Sequence, residues 1–182
     1  MISVRTATPA DAAALAAFAG RIFAETFAKD NTPENMDTYL RSAFSPELQA
    51  REIVDPDFIT LLAVAPDGDL AAYAQIVRNP VPPEVGDDMA LELARFYVDQ
   101  RWHGRGVAPT LMQEVIDRAL ARGARTMWLG VWEHNQRAMA FYRKHGYREV
   151  GSHPFMLGDD RQTDLLMAVS LGSGSGSGQK PA

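Results

Sequence analysis

The stretch Leu91–Ala108, LELARFYVDQRWHGRGVA, constrains this chain more than any other. Leu91, Leu93, Phe96 and Val98 make an apolar, β-prone run. Mostly polar residues follow, with two glycines one residue apart, Gly104 and Gly106, and then an amphipathic helix pattern. The order predicts a strand, a glycine turn and a helix N-terminus. Such a turn suits phosphate, because unpaired backbone N–H groups and the positive end of the helix dipole point the same way. Glycines let the backbone approach a ligand closely and adopt positive φ. An ordinary strand-to-helix turn has the same outline, so Gly-x-Gly alone leaves both readings open. Two better-known phosphate loops do not fit. There is no GxxxxGK[ST], and no GxGxxG at the first strand-to-helix turn, where a dinucleotide fold carries it.

The rest of the chain reads as mixed α and β. Ser3-Val4-Arg5 is a short first strand, and Thr8-Pro9 starts a helix with Leu15, Phe18, Ile22 and Phe23 on its apolar stripe. Thr32-Pro33-Glu34 and Ser45-Pro46-Glu47 start two more helices. Ile59–Ala65 and Leu70–Val77 flank Pro66-Asp67-Gly68-Asp69, a hairpin signal. A helix is expected from Ala108 to about Arg122, capped by Gly123, then a strand over Thr126–Trp132 and a helix over Gln136–Lys144. Two closing strands are expected at Tyr147–Gly151 and Asp164–Ser170. From Gly172 to Gly178 the chain reads GSGSGSG, so 172–182 is expected to be an appended flexible linker and tail, and 1–171 one folded domain.

Composition narrows the chemistry. The 182 residues carry a net charge of −5 with no long basic run, which argues against nucleic-acid binding and tolerates a cationic substrate. With no cysteine, neither disulfides nor thiolate catalysis apply. No apolar run is long enough to span a membrane, no signal pattern opens the chain, and no metal-ligand motif is present, so a cytoplasmic, metal-free protein is expected.

His103-Gly104-Arg105-Gly106-Val107-Ala108 resembles the pyrophosphate signature of the GCN5-related N-acetyltransferase (GNAT) superfamily, Gln/Arg-x-x-Gly-x-Gly/Ala. Histidine stands at its first position, and Arg101 and Arg105 are candidates for the missing positive charge. Asn135-x-x-Ala138-x-x-Phe141-Tyr142-x-x-x-Gly146-Tyr147 resembles the second motif of the same superfamily, the helix beside the pantetheine arm. The stretches Phe23–Phe27 and Asn31–Glu34 are similar to the PaiA-like branch of polyamine and small-amine acetyltransferases. The resemblance covers residues 1–171. It implies an α+β (α/β) GNAT fold, with a mixed sheet of six to seven strands flanked by helices. It also implies a splayed strand pair at the acetyl-CoA site and acetyl transfer to a primary amine. A homodimer is compatible with it. A peptide or protein acetyltransferase, and an acetyl-CoA-binding regulatory protein without turnover, are the alternatives.

Roles follow from the chemistry of the transfer, which needs a deprotonated amine, an oxyanion donor and a proton for the leaving thiolate. Glu92 is the candidate base. Strand alternation puts it on one face with Ala94, Phe96 and Val98, where apolar neighbours would raise its pKa. A salt bridge, to Arg95 or another arginine, is the competing reading. Glu25 is the second candidate, better suited, with Phe27, to binding a cationic substrate. Tyr142 is the candidate acid for the thiolate, or else a core aromatic with Phe141 and Tyr147. Asn135 could bond the pantetheine amides, cap its helix, or both. The resemblance further implies that Phe96, Tyr97 and Val98 offer backbone groups to the pantetheine and the oxyanion. His103 is either a solvent-facing turn residue or an imidazolium near the phosphates. His134, His145 and His153 are expected on the surface or in packing.

Overall fold

Each early helix begins where the sequence supplies a cap. Thr8 and Pro9 open one 3₁₀ turn, Pro9–Asp11, which runs into α1 (Ala12–Phe27). Thr32 precedes α2 (Pro33–Ala43), its side chain accepting the Asn35 N–H at 3.3 Å. Ser45 does the same for α3 (Pro46–Val54), accepting from Leu48 at 3.1 Å. In both, proline takes the first helical position, where its missing N–H costs nothing. Two further helices, α4 (Val107–Ala121) and α5 (Gln136–Lys144), follow the glycine turn and Asn135. The structure, a computed structural model, describes residues 1–172. The expected linker lies, from residue 173 on, outside the described residues.

Seven strands form one mixed sheet: β1 (Ser3–Thr6), β2 (Phe58–Val64), β3 (Leu70–Val77), β4 (Leu91–Val98), β5 (Thr126–Trp132), β6 (Arg148–Leu157) and β7 (Asp160–Ser170). Their order is β1-β2-β3-β4-β5-β7-β6. All neighbours are antiparallel except β4 and β5. Helices α4 and α5 cover one face, burying Leu111, Met112, Val115 and Met139 against Leu61, Ile76, Leu93 and Leu129. Helices α1 and α2 cover the other, with Leu15, Phe18, Ile22, Phe23 and Met36 against Leu62 and Tyr73. Among the described residues no helix is long and apolar enough to cross a membrane.

Two features of the sheet depart from the sequence reading. First, β4 does not alternate regularly. Leu93 pairs with Ile76, but Arg95 pairs with Gln75, so Ala94 is the extra residue of a bulge. The bulge switches faces. Leu91 and Leu93, then Phe96 and Val98, join the core under α4 and α5. Arg95 and Tyr97 turn to the α1 side, Tyr97 stacking on Tyr73 at 5.6 Å. Glu92 therefore does not share a face with Phe96 and Val98. Second, the closing strands are longer than expected, forming a hairpin over 148–170. Pro154 lies within β6, the outermost strand, where a missing N–H is tolerated.

Candidate active site

Between β4 and β5 the sheet comes apart. The two pair only at Leu91–Met127 and Glu92–Trp128, although β4 continues to Val98 and β5 to Trp132. Beyond that point alternate backbone N–H and C=O groups of each strand face the gap. The splay opens a cavity of about 540 Å³. One wall holds Phe96, Val98, His103, Ala108, Asn135, Ala138, Phe141 and Tyr142. Phe96 stacks on Phe141 at 5.4 Å, which fixes α5 against the open edge of β4. Asn135 caps α5, its Oδ1 accepting the Ala138 N–H at 3.1 Å, while also lining the cavity.

The glycine turn sits at the end of this wall. Gly104 and Gly106 have φ of +75° and +78°, which L side chains rarely adopt. A Cβ built on either would meet nothing within 4 Å, so backbone conformation, and not packing, requires glycine here. The exposed turn leads into the first turn of α4, where the Val107 and Ala108 N–H groups have no helical partner and Pro109 carries none. The turn is open to the approach of an anionic group, and the splayed edges leave backbone N–H and C=O groups for an amide-bearing ligand. Val107 is buried in the core beneath it. His103 is not a free surface residue: its Nε2 lies 3.0 Å from the Val98 carbonyl and ties the turn to the end of β4. Arg101 is engaged by Asp99 at 2.9 Å, which leaves Arg105, lying over Trp102, as the cation beside the glycines.

The acetyltransferase (GNAT) family profile matches residues 21–147 of this chain. The chain belongs to the GNAT acetyltransferase family. An uncharacterized N-acetyltransferase of Lactobacillus delbrueckii subsp. lactis is 36% identical over 150 residues, covering 82% of this chain and 86% of that protein. One of Mycobacterium tuberculosis (strain H37Rv) is 34% identical over 161 residues, covering 88% and 98%. Among solved structures, the PaiA N-acetyltransferase of Thermoplasma acidophilum in complex with coenzyme A superposes with a TM-score of 0.75. It shares 22% identity and covers 93% of this chain and 99% of its own. This GNAT protein is thus an acyltransferase using acetyl-CoA, with the mixed seven-stranded fold expected. Among the described residues no cluster of His, Cys, Asp and Glu could hold a metal.

In this GNAT frame the second wall of the cavity faces α1 and α2. It is aromatic, with Phe23, Phe27, Tyr39, Tyr97, Trp132 and Phe155, and it carries Glu25, Gln162 and Asp164. Phe23 stacks on Tyr39 at 4.7 Å, and Phe27 meets Trp132 edge-on at 6.0 Å. Glu25 is held by Arg21 at 3.0 Å, and Arg21 also reaches Asp99 at 2.7 Å. This link ties α1 to the end of β4, and so one wall to the other. Beneath it Arg95 pairs with Glu52 at 2.7 Å, so Arg95 is not the partner of Glu92.

The structure brings most predicted residues to one cleft: Phe96, Tyr97, Val98, His103, Ala108, Asn135, Tyr142, Glu25 and Phe27 all line it. Glu92 does not. Its Oε2 accepts a hydrogen bond from Asn79 Nδ2 at 2.6 Å. Burial raises its pKa, which the Asn79 bond and the charges of His153 and Arg95 oppose. Burial, with Tyr147 nearby, raises the Tyr142 hydroxyl well above its ordinary value, so it stays protonated. Sequence reasoning missed Asp164, Gln162, Tyr39 and Phe155 as cleft residues. A signal was present in His153, Phe155 and Leu157, which alternate along β6 as a half-buried strand does.

Proposed function

We propose that this GNAT enzyme acetylates a primary amine of a small molecule, polyamines included, by direct attack in a ternary complex. One observation carries this reading: the splay that would hold the pantetheine opens directly onto an aromatic, acidic wall. Carboxylates and π faces both favour a cation. In this reading the turn 103–108 binds the diphosphate through backbone amides, and Asn135 and the edges of Phe96, Tyr97 and Val98 meet the pantetheine. Acetyl-CoA supplies the thioester. The amine nitrogen attacks its carbonyl carbon, the oxyanion is met by a backbone N–H at or beside Val98, and the C–S bond breaks. Tyr142 O–H then protonates the departing thiolate. Glu25 and Phe27 bind the amine's charge and its apolar part. Glu92, the base expected from the sequence, stands outside the cleft lining and is bonded to Asn79, so it could reach the amine only through a water or a neighbouring side chain.

Shared fold with the PaiA structure and the Phe23–Glu34 resemblance support placement in the PaiA-like branch. Residues 1–171 are proposed as the one catalytic domain, acting in the cytoplasm. A homodimer would show in light scattering as a mass twice that of the chain. The function is tested by free-thiol release from acetyl-CoA with a panel of primary amines, spermidine among them, and with peptides. Amine-dependent release is expected. Release with peptides alone would make the chain a peptide acetyltransferase, and binding without release would make it a regulatory protein.

A further inference from the structure

Asp164 stands out among the buried and half-buried carboxylates of this molecule. Asp11 is paired with Arg5, Glu52 with Arg95, and Asp99 with both Arg21 and Arg101. None of the ion pairs among the described residues involves Asp164, although it lines the cleft. A half-buried carboxylate in no ion pair costs stability, and such groups concentrate at functional sites.

The surroundings of Asp164 are built around it. It lies on β7, directly opposite His153 on β6 and Trp132 on β5. His153 Nε2 is buried and has no hydrogen-bond partner among the described residues. Both side chains converge on Gly130 of β5. A Cβ built there would come within 3.0 Å of His153 Nε2 and 3.2 Å of Asp164 Oδ2. Gly130 does not have a positive φ, so its backbone does not require glycine. Space does: a methyl at this position would press on both polar atoms. Gly130 itself lies on the part of β5 that has parted from β4, and it lines the same cleft.

We propose that Asp164 is the base for the acceptor, receiving its ammonium in the cleft and taking its first proton, with His153 behind it as a positioning residue. The inference rests on the amine reading above. The acceptor ammonium and Asp164 carboxylate become a neutral amine and a carboxylic acid. The amine lone pair then forms the C–N bond, and the C–S bond breaks as the oxyanion collapses. The nitrogen's second proton leaves after attack and restores the Tyr142 hydroxyl through solvent. Asp164 returns its proton to water. The aromatic rings about it, Phe27, Tyr39, Trp132 and Phe155, would take the apolar part of a primary amine and keep water from the free base.

Burial raises the Asp164 pKa and the charge of His153 opposes the rise, so the carboxyl is a better base than an exposed aspartate. Other groups share its surroundings: Tyr39 on α2 and Tyr97 on β4 feel its charge. Glu25 and Lys29 from the α1 side, Arg95 on β4 and Arg137 on α5 line the same cleft. Glu92 faces the same histidine from β4. Of these groups, Asp164 combines a place in the lining with freedom from an arginine.

The test compares wild type, Asp164→Asn, His153→Gln and Gly130→Ala, with acetyl-CoA and spermidine or another turned-over amine from the panel. Kinetics are measured across pH, with thermal midpoints on each variant. Asp164→Asn should lower kcat/KM for the amine about 10²–10³-fold at neutral pH and lose the acidic limb, recovering partly where free amine is abundant. The KM for acetyl-CoA should stay within about twofold, since only the amine side has changed. His153→Gln should move the acidic limb to higher pH, because the opposing charge is gone. Gly130→Ala should lower amine turnover without weakening acetyl-CoA. An Asp164→Asn enzyme with wild-type rate and pH profile overturns the proposal and leaves the amine reading standing. A wild-type chain inert toward every amine overturns both.

Discussion

The two walls of the cleft are built in different ways. The wall of β4, the glycine turn and α5 is made of local motifs. Each is a strand edge, a positive-φ turn or a capped helix end, formed within a few residues of chain. The facing wall is assembled from side chains far apart in sequence, from Phe23 on α1 to Asp164 on β7, which meet only once the sheet has closed. A phosphate or a pantetheine can be held by backbone groups, which every residue carries. An amine of particular shape and charge must be held by particular side chains. The first wall is therefore suited to a ligand common to a family and the second to one that varies.

That difference also sets what could be read from the sequence. Gly104-Arg105-Gly106, Asn135 and Tyr142 stand out in the sequence through two motifs that resemble those of the superfamily, and the structure puts His103, Ala108, Asn135 and Tyr142 in one cleft. The second wall gave weaker signals. The Ala94 bulge turns Glu92 away from Phe96 and Val98, and strict alternation cannot reveal an extra residue in one strand of a pair. The expected strand over Tyr147–Gly151 stops short of His153, the strand neighbour of Asp164. Whether Asp164 has a cation beside it is a tertiary property, visible only when Arg95 is seen to face Glu52 and Arg101 to face Asp99.

Substitutions on the two walls should separate accordingly. A large effect on turnover is expected at Tyr142. Tyr142→Phe should lower kcat about 10–10³-fold with acetyl-CoA affinity little changed, because donation to the thiolate matters in the transition state. An unaltered kcat would assign the hydroxyl to packing alone.

The tie between the walls should come next. Burial opposes the charged form of Asp99, but the bonds from Arg101, Arg21 and the Arg101 backbone N–H outweigh it and hold the carboxyl far below the usual range. Its stabilising contribution is then present above the unfolded pKa of about 3.9 and lost as pH falls below it. Asp99→Ala should cost about 3 kcal/mol of unfolding free energy at neutral pH, and the difference from wild type should shrink on acidification. Equal denaturation curves at pH 7 would mean that the walls are held by packing instead.

A smaller effect is expected at the rim. Glu25 is already engaged by exposed Arg21, so Glu25→Gln should raise KM for a polyamine about 3–10-fold and leave kcat and acetyl-CoA affinity near wild type, as loss of an exposed charge contact does. A change in acetyl-CoA affinity would show that the walls do not bind separate substrates.

The most direct measurement uses the two ends of α4. Gly106 and Gly123 have the same φ of +78°, and a Cβ on either meets nothing within 4 Å. They lie at opposite ends of a helix roughly 22 Å long, one in the proposed diphosphate cradle and one away from it. Gly106→Asp and Gly123→Asp therefore carry the same backbone strain and the same added charge. Calorimetric titration with acetyl-CoA should show about 10²-fold or greater loss of affinity for Gly106→Asp, where like charges meet. Gly123→Asp should bind as wild type does. Equal affinities in the two folded variants would contradict the assignment of acetyl-CoA to the glycine turn, and with it the division of the cleft into two walls.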